Sequence, residues 1–195
     1  MTEDTTDAGK DEDTTVLVVD DERDLADLYE TWLSDDFNVR TAYDGESALD
    51  QIDESVDVVL LDRRMPTLSG DDVLETIRDR SCDCRVAMVT AVEPDVDIVS
   101  MGFDDYLQKP VDREQLIDTV RRLSRRSQYD SQMRQYFAAA RKRSILDERM
   151  SPAERSNSEE YQDLESELER LHASVDDIAS DMENEDFETL FKQIE

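Results

Sequence analysis

Between residues 16 and 126, short apolar runs alternate five times with amphipathic stretches, and this limits the fold more than any other feature of the chain. Runs of β-forming residues fall at 16–19, 37–42, 56–61, 85–89 and 105–107. The intervening segments 22–34, 45–53, 70–80 and 95–101, and 112–126 after the last run, carry a helical period. Leu25, Leu28, Tyr29 and Trp32 mark one face of the first. Strict β/α alternation predicts an α/β fold, a five-stranded parallel, doubly wound sheet with helices on both faces. Ligands in such sheets bind beyond the carboxyl ends of the strands, where the strand order reverses.

Polar residues of particular kinds stand at those carboxyl ends. Asp20 and Asp21 follow the first run, Asp62 the third, Thr90 the fourth, and Lys109 with Pro110 the fifth. Three converging carboxylates repel one another unless a cation neutralises them, and an all-oxygen site of this kind suits Mg²⁺. A lysine point charge and a threonine hydroxyl supply what an anion needs, so one crevice is equipped for a metal ion and a phosphoryl group together. An acidic residue after a strand is otherwise an ordinary cap or loop group in a chain with 52 Asp and Glu. The set of five is what carries the reading.

Composition excludes competing classes. One His and two Cys rule out Cys/His zinc modules, a two-histidine metalloprotease helix and a disulfide framework. Four glycines, at 9, 45, 70 and 102, leave no Gly-rich phosphate loop. Cys82 and Cys84 are read as structural thiols beside a strand, and His172 as a surface residue. The net charge of -30, with 18 Arg against 4 Lys, fits a halophilic cytoplasm, where molar salt screens a carboxylate surface. With no long apolar run and an acidic start, the chain is expected to be cytoplasmic, without membrane insertion. Residues 1–14 are expected to be a disordered acidic tail.

The segments Val18-Val19-Asp20-Asp21-Glu22, Leu61-Asp62-Arg63-Arg64-Met65-Pro66, Val89-Thr90-Ala91 and Asp105-Tyr106-Leu107-Gln108-Lys109-Pro110 resemble a two-component response-regulator receiver domain of flavodoxin-like fold, covering 15–126. The resemblance implies that Asp62 accepts a phosphoryl group from a sensor histidine kinase or a small phosphodonor. It implies that Asp21, Asp62 and the backbone carbonyl of Arg64 bind Mg²⁺, with Asp20 acting through metal-bound water. Thr90 and Lys109 then hold the phosphoryl oxygens, and Tyr106 is the switch aromatic whose rotamer follows Thr90. Such a protein is a phosphoacceptor rather than an enzyme, with at most weak intrinsic autophosphorylation and dephosphorylation. Small Ala91 leaves room for attacking water, while Arg64 overhangs the site. A haloacid-dehalogenase-like hydrolase needs a second Asp where Arg64 stands.

Residues 127–195 are expected to form a separate helical module. Residues 121–149 hold nine basic and three acidic groups, the only basic region of the chain. Arg141, Lys142 and Arg143 are the candidate contacts for DNA or an acidic partner; the alternative is pairing with the acidic helix that follows. Ser151-Pro152-Ala153-Glu154 is a helix start, and Ser156-Asn157-Ser158-Glu159 offers a second. Tyr161, Leu164, Leu168, Leu171, Val175, Ile178 and Met182 then recur as a heptad stripe. Tyr129, Met133, Tyr136, Phe137, Ala140 and Ile145 are the expected matching face, making an antiparallel helical hairpin, or else a homodimeric coiled coil. Phe187, Leu190, Phe191 and Ile194 form a last amphipathic segment. In placement, length and acidic helical character the region resembles the HalX domain that follows receivers in halophilic archaea. The resemblance implies an output module that regulates transcription through DNA or the transcription machinery; the alternative is a phosphorylation-gated switch acting by protein association alone.

Overall fold

In the computed structural model the described residues are 14–94, 98 and 101–192, the side chains of 181–192 excepted. The elements run β1 (Thr15–Val19), α1 (Arg23–Leu33), β2 (Asn38–Ala42), α2 (Gly45–Gln51), β3 (Val58–Leu61), α3 (Gly70–Asp79), β4 (Arg85–Thr90), β5 (Asp105–Gln108), α4 (Arg113–Arg149), α5 (Pro152–Asn157) and α6 (Glu159–Lys192). The chain divides into two compact units at Ser124/Arg125.

In the first unit five parallel strands lie in the order β2-β1-β3-β4-β5. Successive strand residues point to opposite faces, so each strand feeds two cores. Val16 and Val18 of β1, with Val58, Leu60, Ala87 and Val89, pack beneath Ala26, Tyr29 and Leu33 of α1 and Leu116, Val120 and Leu123 of α4. Leu17 and Val19, with Val59, Leu61, Val86 and Met88, meet Ala48 of α2 and Val73, Leu74 and Ile77 of α3 on the other side. Burial on both faces explains why the strands read as nearly continuous apolar runs.

Local chemistry sets the helix boundaries. Asp44 caps α2, its carboxylate accepting from Ser47 N at 2.7 Å, and Ser69 with Asp72 closes a capping box at the start of α3. Gly70 is required by close approach: a Cβ there would lie 2.1 Å from the Asp62 carbonyl oxygen. Strands β2 and β3 begin one and two residues later than the apolar runs suggested, because Phe37 and Val56 are buried ahead of the ladder rather than in it. Thr14, assigned to the tail from sequence, is buried, its hydroxyl 2.8 Å from that of Ser124. The helix expected over 95–101 falls mostly outside the described residues, as do residues 1–13 of the expected tail.

The second unit is a helical hairpin. Both sequence starts are used: Ser151 and Glu154 form a capping box for α5, and Ser158 accepts from Tyr161 N to begin α6. Along the seam the α4 residues Tyr136, Ala139 and Ala140 meet Leu164, Leu168 and Leu171. The pairing is antiparallel, since Asp147 accepts from the Tyr161 hydroxyl at 2.7 Å while Tyr136 stacks edge-on with His172. The expected α4 face is corrected at Phe137, which is 63% exposed, and Ala139 is a buried contact that it omitted; Ile145, half exposed, lines a groove with Leu164 of α6. At 3.6 residues per turn Phe137 is rotated by about 100° from Tyr136, off the seam. The side chains of Met182, Phe187, Leu190, Phe191 and Ile194 lie outside the described residues.

Candidate functional site

The strand order reverses between β1 and β3, and the acidic residues stand at that point. Asp20 and Asp21 directly follow β1, Asp62 directly follows β3, Thr90 ends β4, and Lys109 follows β5. Backbone bonds hold these ends together: Asp62 N donates to Val19 O at 2.9 Å, Asp20 N to Ala42 O at 3.2 Å, and Lys109 N to Thr90 O at 2.9 Å. The Lys109–Pro110 peptide is cis.

Lys109 is the hub of the site. Its Nζ donates to Asp20 Oδ2 at 2.7 Å and to Asp62 Oδ2 at 3.1 Å. Asp20 and Asp62 are 2% and 7% exposed, whereas Asp21 is exposed. Burial pushes the Asp20 carboxyl above the ordinary carboxylate range, and Lys109 only partly offsets this. For Lys109 burial acts to lower the pKa, but the carboxylates of Asp20 and Asp62 outweigh it, so the ammonium is held charged above its ordinary value. Single carboxylate oxygens of Asp20, Asp21 and Asp62 lie within 4.8 Å of one another. This hard, crowded donor set fits a small divalent cation, which would also relieve the desolvation that raises Asp20. Arg64 N lies 3.4 Å from Asp62 Oδ1, so the residue whose carbonyl was the expected fourth donor borders the carboxylate.

The other side of the crevice is neutral and mechanically linked. Val92 N donates to Thr90 Oγ1 at 3.4 Å, and the Tyr106 hydroxyl donates to Val92 O at 2.6 Å. Tyr106 is half-buried, with Phe103 tilted against it at 5.7 Å between ring centroids. Thr90, Val92 and Tyr106 thus form one connected path from the crevice to the β5 edge. Val92, Phe103 and Gly70 were missed by sequence reasoning; only Gly70, one of four glycines, left a signal.

The candidate contact residues of the second unit divide. Arg141 and Lys142 are exposed, but Lys142 shares an apolar groove with the acidic Glu160, Asp163 and Glu167. Arg143 lies 4.0 Å from Asp147 and lines a groove with Glu165, Glu169 and Asp176. Further up the basic region, Arg121 pairs with Asp36 at 2.8 Å and Arg122 with Asp105, within the first unit. Part of that region is therefore neutralised inside the chain.

A doubly wound sheet bearing an acidic pocket, a lysine and a hydroxyl at its switch point defines a receiver-type domain. The chain belongs to the response regulator receiver domain family, whose model matches residues 16–121, and a HalX domain follows at 125–191. A Haloferax volcanii protein described as "Putative transcriptional regulator" is 54% identical over 159 residues, which is 81% of this chain and 27% of that protein. The transcriptional regulatory protein CpxR of Escherichia coli K12 is 40% identical over 121 residues, 60% of this chain and 52% of that protein. The chain thus spans between a quarter and a half of the length of these curated relatives. Among solved structures, the receiver domain of Francisella response regulator 1452 matches with TM-score 0.54 and 29% identity, covering 58% of this chain and 98% of that one. Thermotoga maritima TrrA, solved with Mg²⁺ and BeF, matches with TM-score 0.50 and 30% identity, covering 56% and 98%. No helix among the described residues is long and apolar enough to cross a membrane.

Proposed function

We propose that the chain is the phosphoacceptor of a two-component pathway, phosphorylated on Asp62 in a Mg²⁺-dependent reaction with a sensor histidine kinase or a small phosphodonor. The observation that carries the reading is the Lys109 bridge between Asp20 and Asp62, with Thr90 on the neighbouring strand. An oxygen of the Asp62 carboxylate attacks phosphorus, the P–N bond of a phosphohistidine breaks, and the departing imidazole takes up a proton. Phosphoryl transfer asks the protein for positioning and charge neutralisation above all. Lys109 and Thr90 provide a fixed cation and a hydroxyl for the transferred oxygens. Asp20, Asp21, Asp62 and the Arg64 carbonyl would hold Mg²⁺, which supplies Lewis-acid neutralisation of the phosphoryl charge.

The path from Thr90 through Val92 to Tyr106 supports a switch role for Tyr106. A phosphoryl group that draws Thr90 inward moves the loop that the Tyr106 hydroxyl grips, and this remodels the β5 edge. The likeness to transcriptional regulators supports a transcriptional output for the helical unit, with exposed Arg141 and Lys142 as candidate DNA contacts and Arg143 engaged within the hairpin.

The test is incorporation of phosphate from acetyl phosphate or a phosphorylated kinase. Wild type is expected to label only with Mg²⁺, and Asp62→Asn not at all; a stable adduct on Asp62→Asn overturns the assignment. Selection of genomic DNA fragments in molar KCl, with and without beryllofluoride, then separates gated DNA binding from a switch that acts by protein association.

A further inference from the structure

An apolar groove runs between α4 and α6 near the turn of the hairpin. Its floor is Ile145 and Leu146 of α4 with Leu164 of α6; Ile145 is 49% exposed and the two leucines are half-buried. The buried contacts of the seam, Ala139 with Leu168 and Leu171, lie further along, so packing leaves this end partly open. One wall is acidic. Glu160, Asp163 and Glu167 follow one another at three and four residues, which sets them on one flank of α6, and only Lys142 among the lining residues is basic. Asp147 at the turn takes Arg155 at 2.6 Å, and Asp176 on the other flank of α6 takes His172 at 2.9 Å. Glu160 accepts from the Ser158 hydroxyl at 2.9 Å, but Asp163 and Glu167 have no ion pair among the described residues.

We infer that this groove docks a basic amphipathic helix of a partner protein. Such a helix lays two apolar side chains, three or four residues apart, on the floor and sets Arg or Lys beside them against the α6 wall. A third helix along two antiparallel ones extends the hairpin as helical bundles do. The charge pattern selects the occupant. A nucleic acid would bring phosphates to three carboxylates and leave the floor without an apolar partner. The chain's own apolar segment at 187–194 follows Glu183, Glu185 and Asp186, so it brings charge of the same sign. Molar salt screens attraction at long range but leaves contact pairs and apolar burial, so floor and wall act together. The inference is independent of the reading of Asp62.

The probe is a fluorescein-labelled synthetic helix of Leu and Arg, about 18 residues long so that it is helical by itself. It is titrated with the full chain in molar KCl, without Mg²⁺ or phosphodonor, and read by anisotropy, with circular dichroism as the control for the fold of each variant. The Leu/Arg helix is expected to bind, and its Leu/Glu counterpart to bind about tenfold more weakly. Asp163→Lys with Glu167→Lys should weaken binding roughly tenfold, and Ile145→Ser by about three- to tenfold. Glu169→Lys with Asp176→Lys makes the same change of charge on the other flank of α6 and should leave binding within about twofold. A Leu/Arg helix that does not bind, or that both charge reversals weaken equally, overturns the inference, since the second result is diffuse attraction to an acidic surface. Indifference to Ile145→Ser overturns it as well. A wild-type dimer in sedimentation equilibrium that Ile145→Ser dissolves assigns the groove to a second copy of the chain instead.

Discussion

Asp20 and Lys109 show how a residue's neighbours decide what its type leaves open. A buried carboxylate in this chain is costly alone, and Lys109 makes it tolerable by facing two of them. Removing the charge with Lys109→Met should therefore lower stability as well as phosphorylation, whereas Asp62→Asn should abolish phosphorylation and leave the fold intact; thermal melts beside phosphate incorporation distinguish the two. Gly70 makes a second prediction. Ala at this position drives a methyl into the Asp62 backbone, which has nowhere to move, and should cost roughly 2 kcal/mol by denaturant melt while slowing phosphorylation. Cys84 makes a third. Burial pushes its thiol up to about 11, so it stays protonated through neutral pH and should resist iodoacetamide at pH 8 until the protein is unfolded. The acidic cluster was legible because its members follow apolar runs in a set order. The need for Gly70 was not, because it depends on an atom eight residues away in the chain.

At the scale of elements, the hairpin separates what periodicity specifies from what packing chooses. The α6 stripe follows the heptad closely, and Leu168, Leu171 and Val175 are buried as the spacing required. Tyr136 and Ala140 of the expected α4 face also meet α6, but Phe137 does not. Alanines give little hydrophobic signal, yet Ala139 and Ala140 let the helices approach closely and so take the seam. Leu171→Ala should cost about 2–4 kcal/mol, while Phe137→Ala measured on dilute protein should leave the hairpin melt nearly unchanged. A large loss for Phe137→Ala in dilute solution would place it in the hairpin core. In the first unit, α3 and β5 are tied by Asp104, which accepts from Arg78 at 2.8 Å and from Arg85 at 2.6 Å. This clamp anchors the segment just before Tyr106, and no sequence pattern announces it.

For the whole molecule, charge decides behaviour more than any single contact. A net charge of -30 opposes compaction, and raising KCl from about 0.1 M to 1 M shortens the screening length from about 10 Å to about 3 Å. Contact ion pairs such as Arg121–Asp36 survive that change better than the diffuse repulsion does. Melting temperature should therefore rise with KCl; a fall would mean that the ion pairs dominate. The sequence by itself determined the sheet, the order of its strands' polar ends, the receiver resemblance and the heptad, because each depends on local period and on residue type at a strand end. Only the tertiary structure decided that Lys109 bridges two carboxylates, that Tyr106 grips the carbonyl two residues past Thr90, and that Leu164, Leu168 and Leu171 of the α6 stripe pack against α4. The physical reason is common to all three: each depends on which distant surfaces meet and how closely, and period carries no information about distance.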